Sequence, residues 1–124
     1  MDILIVDDDP QVRTVHQRVL ERAGYMVTTV ENGLQAFAAL QEQEFSAILC
    51  DLQMPFLKGQ GFYEELRREY PDLVPRLIFV TGWGRESEAR EFLESTGRPV
   101  LHKPVEFKDL IAAVQRVVVG PASE

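Results

Sequence analysis

Runs of four apolar residues with no polar interruption punctuate this chain: Ile3-Leu4-Ile5-Val6, Ala47-Ile48-Leu49-Cys50 and Leu77-Ile78-Phe79-Val80. A half-buried strand alternates apolar with polar residues, so an unbroken run of this length reads as a strand covered on both faces. Helical spacing fills the intervals. Asp9-Pro10 joins an N-cap residue to proline at the first helical position, and Val12, Val15, Val19, Leu20 and Ala23 follow until Gly24. Tyr25 to Val30 is rich in β-branched residues and strand-like, and Asn32-Gly33 turns the chain into a helix bearing Ala36, Phe37 and Leu40. Ser46 to Cys50 is the third strand. Pro55, Gly59 and Gly61 mark a loop, after which Phe62, Leu66 and Tyr70 trace a helix that ends before Pro71. Arg76 to Thr81 is the fourth strand, Gly82 and Gly84 bracket a loop, and Ala89, Phe92 and Leu93 line a short helix. Pro99 to His102 is the fifth strand, and Leu110, Ile111, Val114, Val117 and Val118 form one stripe of a last helix that stops at Gly120-Pro121. The pattern is (βα)5: an α/β fold with a parallel sheet, helices on both faces and right-handed crossovers.

The 124 residues suffice for one core, and neither a repeat nor a second domain is visible; Pro121 to Glu124 reads as a polar tail. Thirteen basic against twenty acidic residues give a net charge of −7, which disfavours direct binding to nucleic acid or to an anionic membrane. Proteins and small cations are the expected partners. Met1 leads straight into a strand-like run with no basic flank or apolar signal segment, so the expected location is the cytoplasm. The single cysteine, Cys50, lies inside an apolar run and is expected to be buried and inert.

Polar residues stand where the apolar runs end. Asp7 and Asp8 follow the first strand, Asp51 the third, Thr81 the fourth and Lys103 the fifth. In an open parallel sheet these carboxyl ends share one edge, the edge at which such sheets bind ligands. Taken singly, each residue has an ordinary reading: an acidic residue after a strand forms a turn or caps a helix, as Asp9 does, and a lone lysine is a solvated charge. The joint placement is what carries information. Two carboxylates about 4 Å apart repel by about 4 kcal/mol at an effective dielectric of about 20, so a cluster of three requires a cation. His16, among polar neighbours on the first helix, and His102, without a ligand partner at metal-site spacing, are expected to have no special role.

The segments Ile3 to Asp9, Ile48-Leu49-Cys50-Asp51-Leu52-Gln53-Met54-Pro55, Phe79-Val80-Thr81-Gly82 and Lys103-Pro104 together resemble the receiver domain of two-component response regulators, over essentially the whole chain (1–120). The resemblance implies a flavodoxin-like sheet of order 2-1-3-4-5. It implies Asp51 as phosphoacceptor, Asp7, Asp8, Asp51 and the backbone carbonyl of Gln53 as ligands of Mg2+, Thr81 as the hydroxyl that meets the phosphoryl group, and Lys103 as the cation beside it. It also implies a cis Lys103-Pro104 bond. The partners implied are a histidine kinase or phosphotransfer protein upstream and a protein target downstream, with a dimer through the face of the fourth helix, fifth strand and fifth helix left open.

The chemistry suits those residue types. A carboxylate can attack phosphorus, and catalysis of that transfer consists mainly of positioning and charge neutralisation. Such a domain catalyses only its own phosphorylation and dephosphorylation, so it is not a turnover enzyme. Some positions depart from the family pattern. Val100 stands where the family usually has Tyr or Phe, Lys58-Gly59 where many members have Asp-Gly, and Gln53 and Trp83 fill variable positions that tune the phosphoryl lifetime. The stretch Thr96 to Pro104 is similar to receivers of hybrid histidine kinases, which makes a domain of a longer kinase or regulator one alternative. A phosphorylation-independent docking module is another. A phosphatase of the related phosphoaspartate class is disfavoured, because Gln53 stands two residues after Asp51 where a second acid/base aspartate would be needed.

Overall fold

Strands β1 (Asp2–Val6), β2 (Met26–Val30), β3 (Ala47–Asp51), β4 (Leu77–Thr81) and β5 (Val100–His102) form one parallel sheet in the order β2-β1-β3-β4-β5. This is the expected flavodoxin-like order. The computed structural model describes residues 1–52, 59–82 and 87–119. Helices α1 (Pro10–Arg22), α2 (Gly33–Glu42), α3 (Gly59–Glu69), α4 (Ser87–Thr96) and α5 (Phe107–Val119) connect and follow the strands. None among the described residues is long and apolar enough to cross a membrane.

Side chains alternate across a strand, so each apolar run feeds two cores at once. Leu4, Val6, Ile48, Cys50, Leu77 and Phe79 pack with Ala36 and Leu40 of α2, Phe62 and Leu66 of α3 and Leu93 of α4. Ile3, Ile5, Ala47, Leu49, Ile78 and Val80 pack with Leu20 of α1 and with Leu110 and Val114 of α5. Every residue of β3 and β4 is buried, which is why these runs carry no alternation. Asp9 caps α1, its carboxylate accepting from the N–H groups of Gln11 and Val12, and Asn32 caps α2 by accepting from Gln35. Gly24, with φ of 103°, supplies the left-handed residue after α1.

Three local expectations change. Gly59 and Gly61 lie in the first turn of α3 rather than in a loop, because burial of Phe62 and Leu66 outweighs the low helix propensity of glycine. A 3-10 turn over Pro71–Arg76 precedes β4, where the sequence reading has only a helix end. Two arginines hold this end of the sheet: Arg98 donates to the carbonyls of Leu77 (3.0 Å) and Pro75 (2.6 Å), and Arg76, the last residue of the turn, to that of Phe45 (2.7 Å). The third change is His16. It is 5% exposed and falls on the buried stripe of α1 with Leu20, while Val15, assigned to that stripe by spacing, is 43% exposed.

On the α2-α3-α4 side, rings from three elements meet. Tyr63 of α3 lies 6.0 Å from Phe79 of β4 and 5.6 Å from Phe92 of α4, and Phe79 and Phe92 are 5.7 Å apart in an edge-on arrangement. Val100 pairs with Phe79 across the sheet and packs against the same cluster. The volume beside Phe79 is thus filled by Phe92, reaching in from α4.

Burial, and then the charge of Lys103, lower the pKa of His16. Below about pH 6.5 the unfolded chain therefore binds a proton that folded His16 still refuses, and stability falls until the folded pKa is reached. His16→Gln removes this pH dependence. Thermal melts of metal-free protein should show the parent losing more stability than the variant between about pH 7.5 and 5.5. Parallel pH profiles would show that His16 titrates alike in both states.

Candidate functional site

β1 and β3 run side by side, with Val6 opposite Cys50, and β3 and β4 likewise, with Asp51 opposite Val80. This register brings the carboxyl ends level. Asp7 immediately follows β1, Asp51 is the last residue of β3, Thr81 the last of β4, and Lys103 follows β5. Asp7 and Asp51 are each 2% exposed, Thr81 is fully buried, and Asp8 is exposed.

Asp7, Asp8 and Asp51 each offer a carboxylate oxygen within 4.8 Å of the others. The Lys103 ammonium lies 3.4 Å from Asp7 Oδ2 and 3.3 Å from Asp51 Oδ2. Burial alone would pull the Lys103 pKa down, but the charges and hydrogen bonds of Asp51 and Asp7 outweigh it and hold the group above its ordinary value. Among the described residues, three carboxylates and the one ammonium that pairs with them leave a formal deficit of two positive charges. Clustered hard oxygen donors with that deficit suit a divalent cation that binds oxygen ligands. The donor set therefore fits a metal site, built from the acidic residues that end two adjacent strands.

The backbone around these groups is fixed. The Lys103 N–H donates to the Thr81 carbonyl at 2.8 Å, and the Leu52 N–H to the Val80 carbonyl at 3.3 Å. The Lys103-Pro104 bond is cis. Asp7 Oδ1 accepts from the Asp9 N–H at 2.9 Å. Cys50 is fully enclosed beneath the site, and burial, then the charges of Asp51 and Asp7, push its thiol well up, leaving it unreactive as expected.

Geometry thus brings Asp7, Asp8, Asp51 and Lys103 together, with Thr81 on the neighbouring strand end. Gln53, Lys58 and Trp83 lie outside the described residues. One contact was missed by sequence reading: Arg13 of α1 donates through Nη1 to the Asp7 carbonyl at 2.8 Å. A positive residue in the first turns of a helix that starts beside two aspartates is its only sequence signal. Alternation also separates the groups: Asp51 is in step with Leu49, on the α1-α5 side, and Thr81 with Phe79, on the α2-α3-α4 side.

Comparison with known proteins agrees with this arrangement. The family model described as "Response regulator receiver domain" matches residues 3–115. The response regulator receiver protein CpdR of Brucella abortus is 32% identical over 118 residues, which span 95% of this chain and 97% of that protein. The sensor kinase CckA of the same organism is 30% identical over 118 residues, but only 12% of its length is spanned. Among solved structures, the chemotaxis protein CheY4 of Vibrio cholerae superposes with a TM-score of 0.83 at 28% identity, covering 94% of this chain and 97% of that one. The signal receiver domain of a histidine kinase from Syntrophus aciditrophicus gives 0.87 at 26% identity, covering 99% and 93%. With the family model matching residues 3–115 and the sheet order that of its structural neighbours, this chain belongs to the response regulator receiver domain family of two-component signalling.

Proposed function

We propose that the chain receives a phosphoryl group on Asp51 from a histidine kinase or phosphotransfer protein and, in response, alters its protein-binding face. The observation that carries this reading is the setting of Asp51: a buried carboxylate 3.3 Å from the Lys103 ammonium and clustered with Asp7 and Asp8. An Asp51 oxygen forms the new bond to phosphorus as the bond from phosphorus to the donor's imidazole nitrogen breaks; the electron pair of that bond returns to the imidazole. Lys103 offsets charge on one side of the transferring group. Asp7, Asp8, Asp51 and the Gln53 carbonyl would hold Mg2+, which would neutralise charge on the phosphoryl oxygens. Donor and acceptor chemistry are then matters of position and charge, with no external substrate turned over.

A cavity of about 460 Å3 lies between α1 and the connection from β5 to α5, lined by Val12, Val15, His16, Pro104 and Phe107 together with Lys103. It gives a donor protein apolar surface that reaches the site itself. The domain is taken as 1–120, with 121–124 as tail. Residence within a longer kinase or regulator is compatible with relatives such as CckA, of which a chain this size spans a small part.

For output, Thr81 provides the first movement. Its hydroxyl turns toward the phosphoryl oxygen, and it shares a sheet face with Phe79, against which Phe92 of α4 packs. Because Val100 has no ring to swing inward, the response passes to α4 and to the face it forms with β5 and α5. That face is also where a downstream protein or a second copy would bind.

A small phosphodonor with Mg2+ should add one base-labile phosphoryl group per chain by intact mass, and none to Asp51→Asn. Equal labelling of both proteins rejects Asp51 as acceptor. Asp8→Asn should weaken Mg2+ binding in titration calorimetry, yet stabilise the metal-free protein by about 1 kcal/mol, the repulsion of charges about 4 Å apart in a water-like setting. Unchanged Mg2+ affinity would remove Asp8 from the ligand set. Trp83 is the single tryptophan. Beryllofluoride with Mg2+ should change its fluorescence, and Thr81→Ala should blunt that change while beryllofluoride still binds; a full response in the variant excludes Thr81 from the route.

A further inference from the structure

The connection from β1 to α1 carries two of the three clustered carboxylates, and three hydrogen bonds set its course. The Asp7 N–H donates to the Val30 carbonyl at 3.1 Å, the Asp9 N–H to Asp7 Oδ1 at 2.9 Å, and Arg13 Nη1 to the Asp7 carbonyl at 2.8 Å. The last has a charged donor, is partly buried, and spans six residues from the helix back to the strand end. The Asp7 carbonyl and the Asp8 N–H belong to one rigid peptide plane. Fixing the carbonyl therefore fixes where the Cα of Asp8 sits, and with the Asp9 N–H held by Asp7 Oδ1 on the far side of that residue, the rotation that aims its side chain is restrained as well. Asp8 depends on this more than its neighbours do. Asp7 and Asp51 are buried and paired with Lys103, whereas Asp8 is exposed and, among the described residues, no hydrogen bond or ion pair holds its carboxylate.

We propose that Arg13 is a positioning residue for the acidic cluster: its guanidinium anchors the Asp7 carbonyl and thereby holds the Asp8 carboxylate within reach of Asp7 and Asp51. This rests on the reading of the cluster as a divalent-cation and phosphoacceptor site. A role in positioning and a role as mere charge have opposite signs. A positive charge near a cation site weakens cation binding, so deleting Arg13 as a charge alone would raise Mg2+ affinity about two- to threefold after salt screening. Deleting an anchor that orients a ligand lowers affinity, by about tenfold for groups that support metal ligands from behind.

Mg2+ binding to the parent chain, Arg13→Met and Arg13→Lys is measured by titration calorimetry, with metal-free thermal melts to show that each variant is folded. Labelling with a small phosphodonor is then followed across Mg2+ concentrations. Positioning predicts that Arg13→Met binds Mg2+ about tenfold more weakly, needs correspondingly more Mg2+ for half-maximal labelling, and regains most of the parent's rate at saturating Mg2+. Arg13→Lys, which keeps a charged donor on a long stem, should fall between the two. Mg2+ affinity in Arg13→Met equal to or above that of the parent overturns the proposal and leaves the site reading intact. If Arg13→Met does not fold, Arg13→Lys decides alone: weakened binding supports positioning, and parent-like binding rejects it. Failure of the parent itself to bind Mg2+ overturns both.

Discussion

Asp7 and Asp51 face one another across adjacent strands with the Lys103 ammonium between them, and this buried charge cluster is the constraint around which the sheet edge is organised. Apolar runs drive β1 and β3 together in register, and that pairing forces two carboxylates into one desolvated corner. Burying either one without a counter-charge would cost several kcal/mol. Lys103, carried in by β5 from two strands away, relieves part of this and leaves the site short of positive charge. The core supplies the rigidity that keeps the carboxylates from moving apart. An acidic cluster of this kind is thus a load on stability that the two apolar layers sustain, and among the described residues its donor set fits a cation.

The alternation of strand side chains divides the work between the two faces. Asp51 and Leu49 stand on the side of α1 and α5, where the cavity beside Lys103 opens; Thr81 and Phe79 stand on the side of α2, α3 and α4. On the proposed function, donor contact uses the α1-α5 side, while the first step of output from Thr81 enters the α2-α3-α4 side. Phe92 gives the second side an aromatic contact from a helix. With Val100 beside Phe79, the aromatic contacts of Phe79 come from α3 and α4, so a change felt by its ring reaches two helices directly.

Much of this was legible in the sequence because it rests on local rules. Unbroken apolar runs give buried parallel strands, Asp9-Pro10 and Asn32-Gly33 give helix starts, and polar residues at four strand ends give the corner once the strands are parallel. His16 falls outside the stripe read from apolar spacing because it is itself polar and Thr14, Gln17 and Arg18 surround it in sequence, while its neighbours in space are set by helix rotation: it lies four residues before Leu20, on the same face. The bonds of Arg13, Arg76 and Arg98 escaped for a related reason. Each ends on a backbone carbonyl, and carbonyls are chemically alike along the whole chain, so no pattern of side chains announces which will be met. The glycines of α3 misled in the other direction, since propensity is a weak prior where Phe62 and Leu66 have a core to enter.

The backbone at Thr81 limits what a switch here can be. Its carbonyl accepts the Lys103 N–H at 2.8 Å, and β4 is paired on both sides, so the strand end cannot shift without breaking bonds that also place Lys103 against the acidic cluster. On the proposed function, a response that preserves the chemistry is then carried by the Thr81 side chain turning about its own χ1, a movement of about an ångström or two. Such a movement becomes a signal only where packing has two discrete arrangements rather than a continuous range. The Tyr63, Phe79 and Phe92 cluster is suited to that role: edge-on rings have few alternative packings, and Phe92 and Tyr63 are half-buried while Phe79 is fully enclosed. Stiffness at the site and a discrete choice at the rings are then complementary requirements, the first to hold the charges and the second to report them.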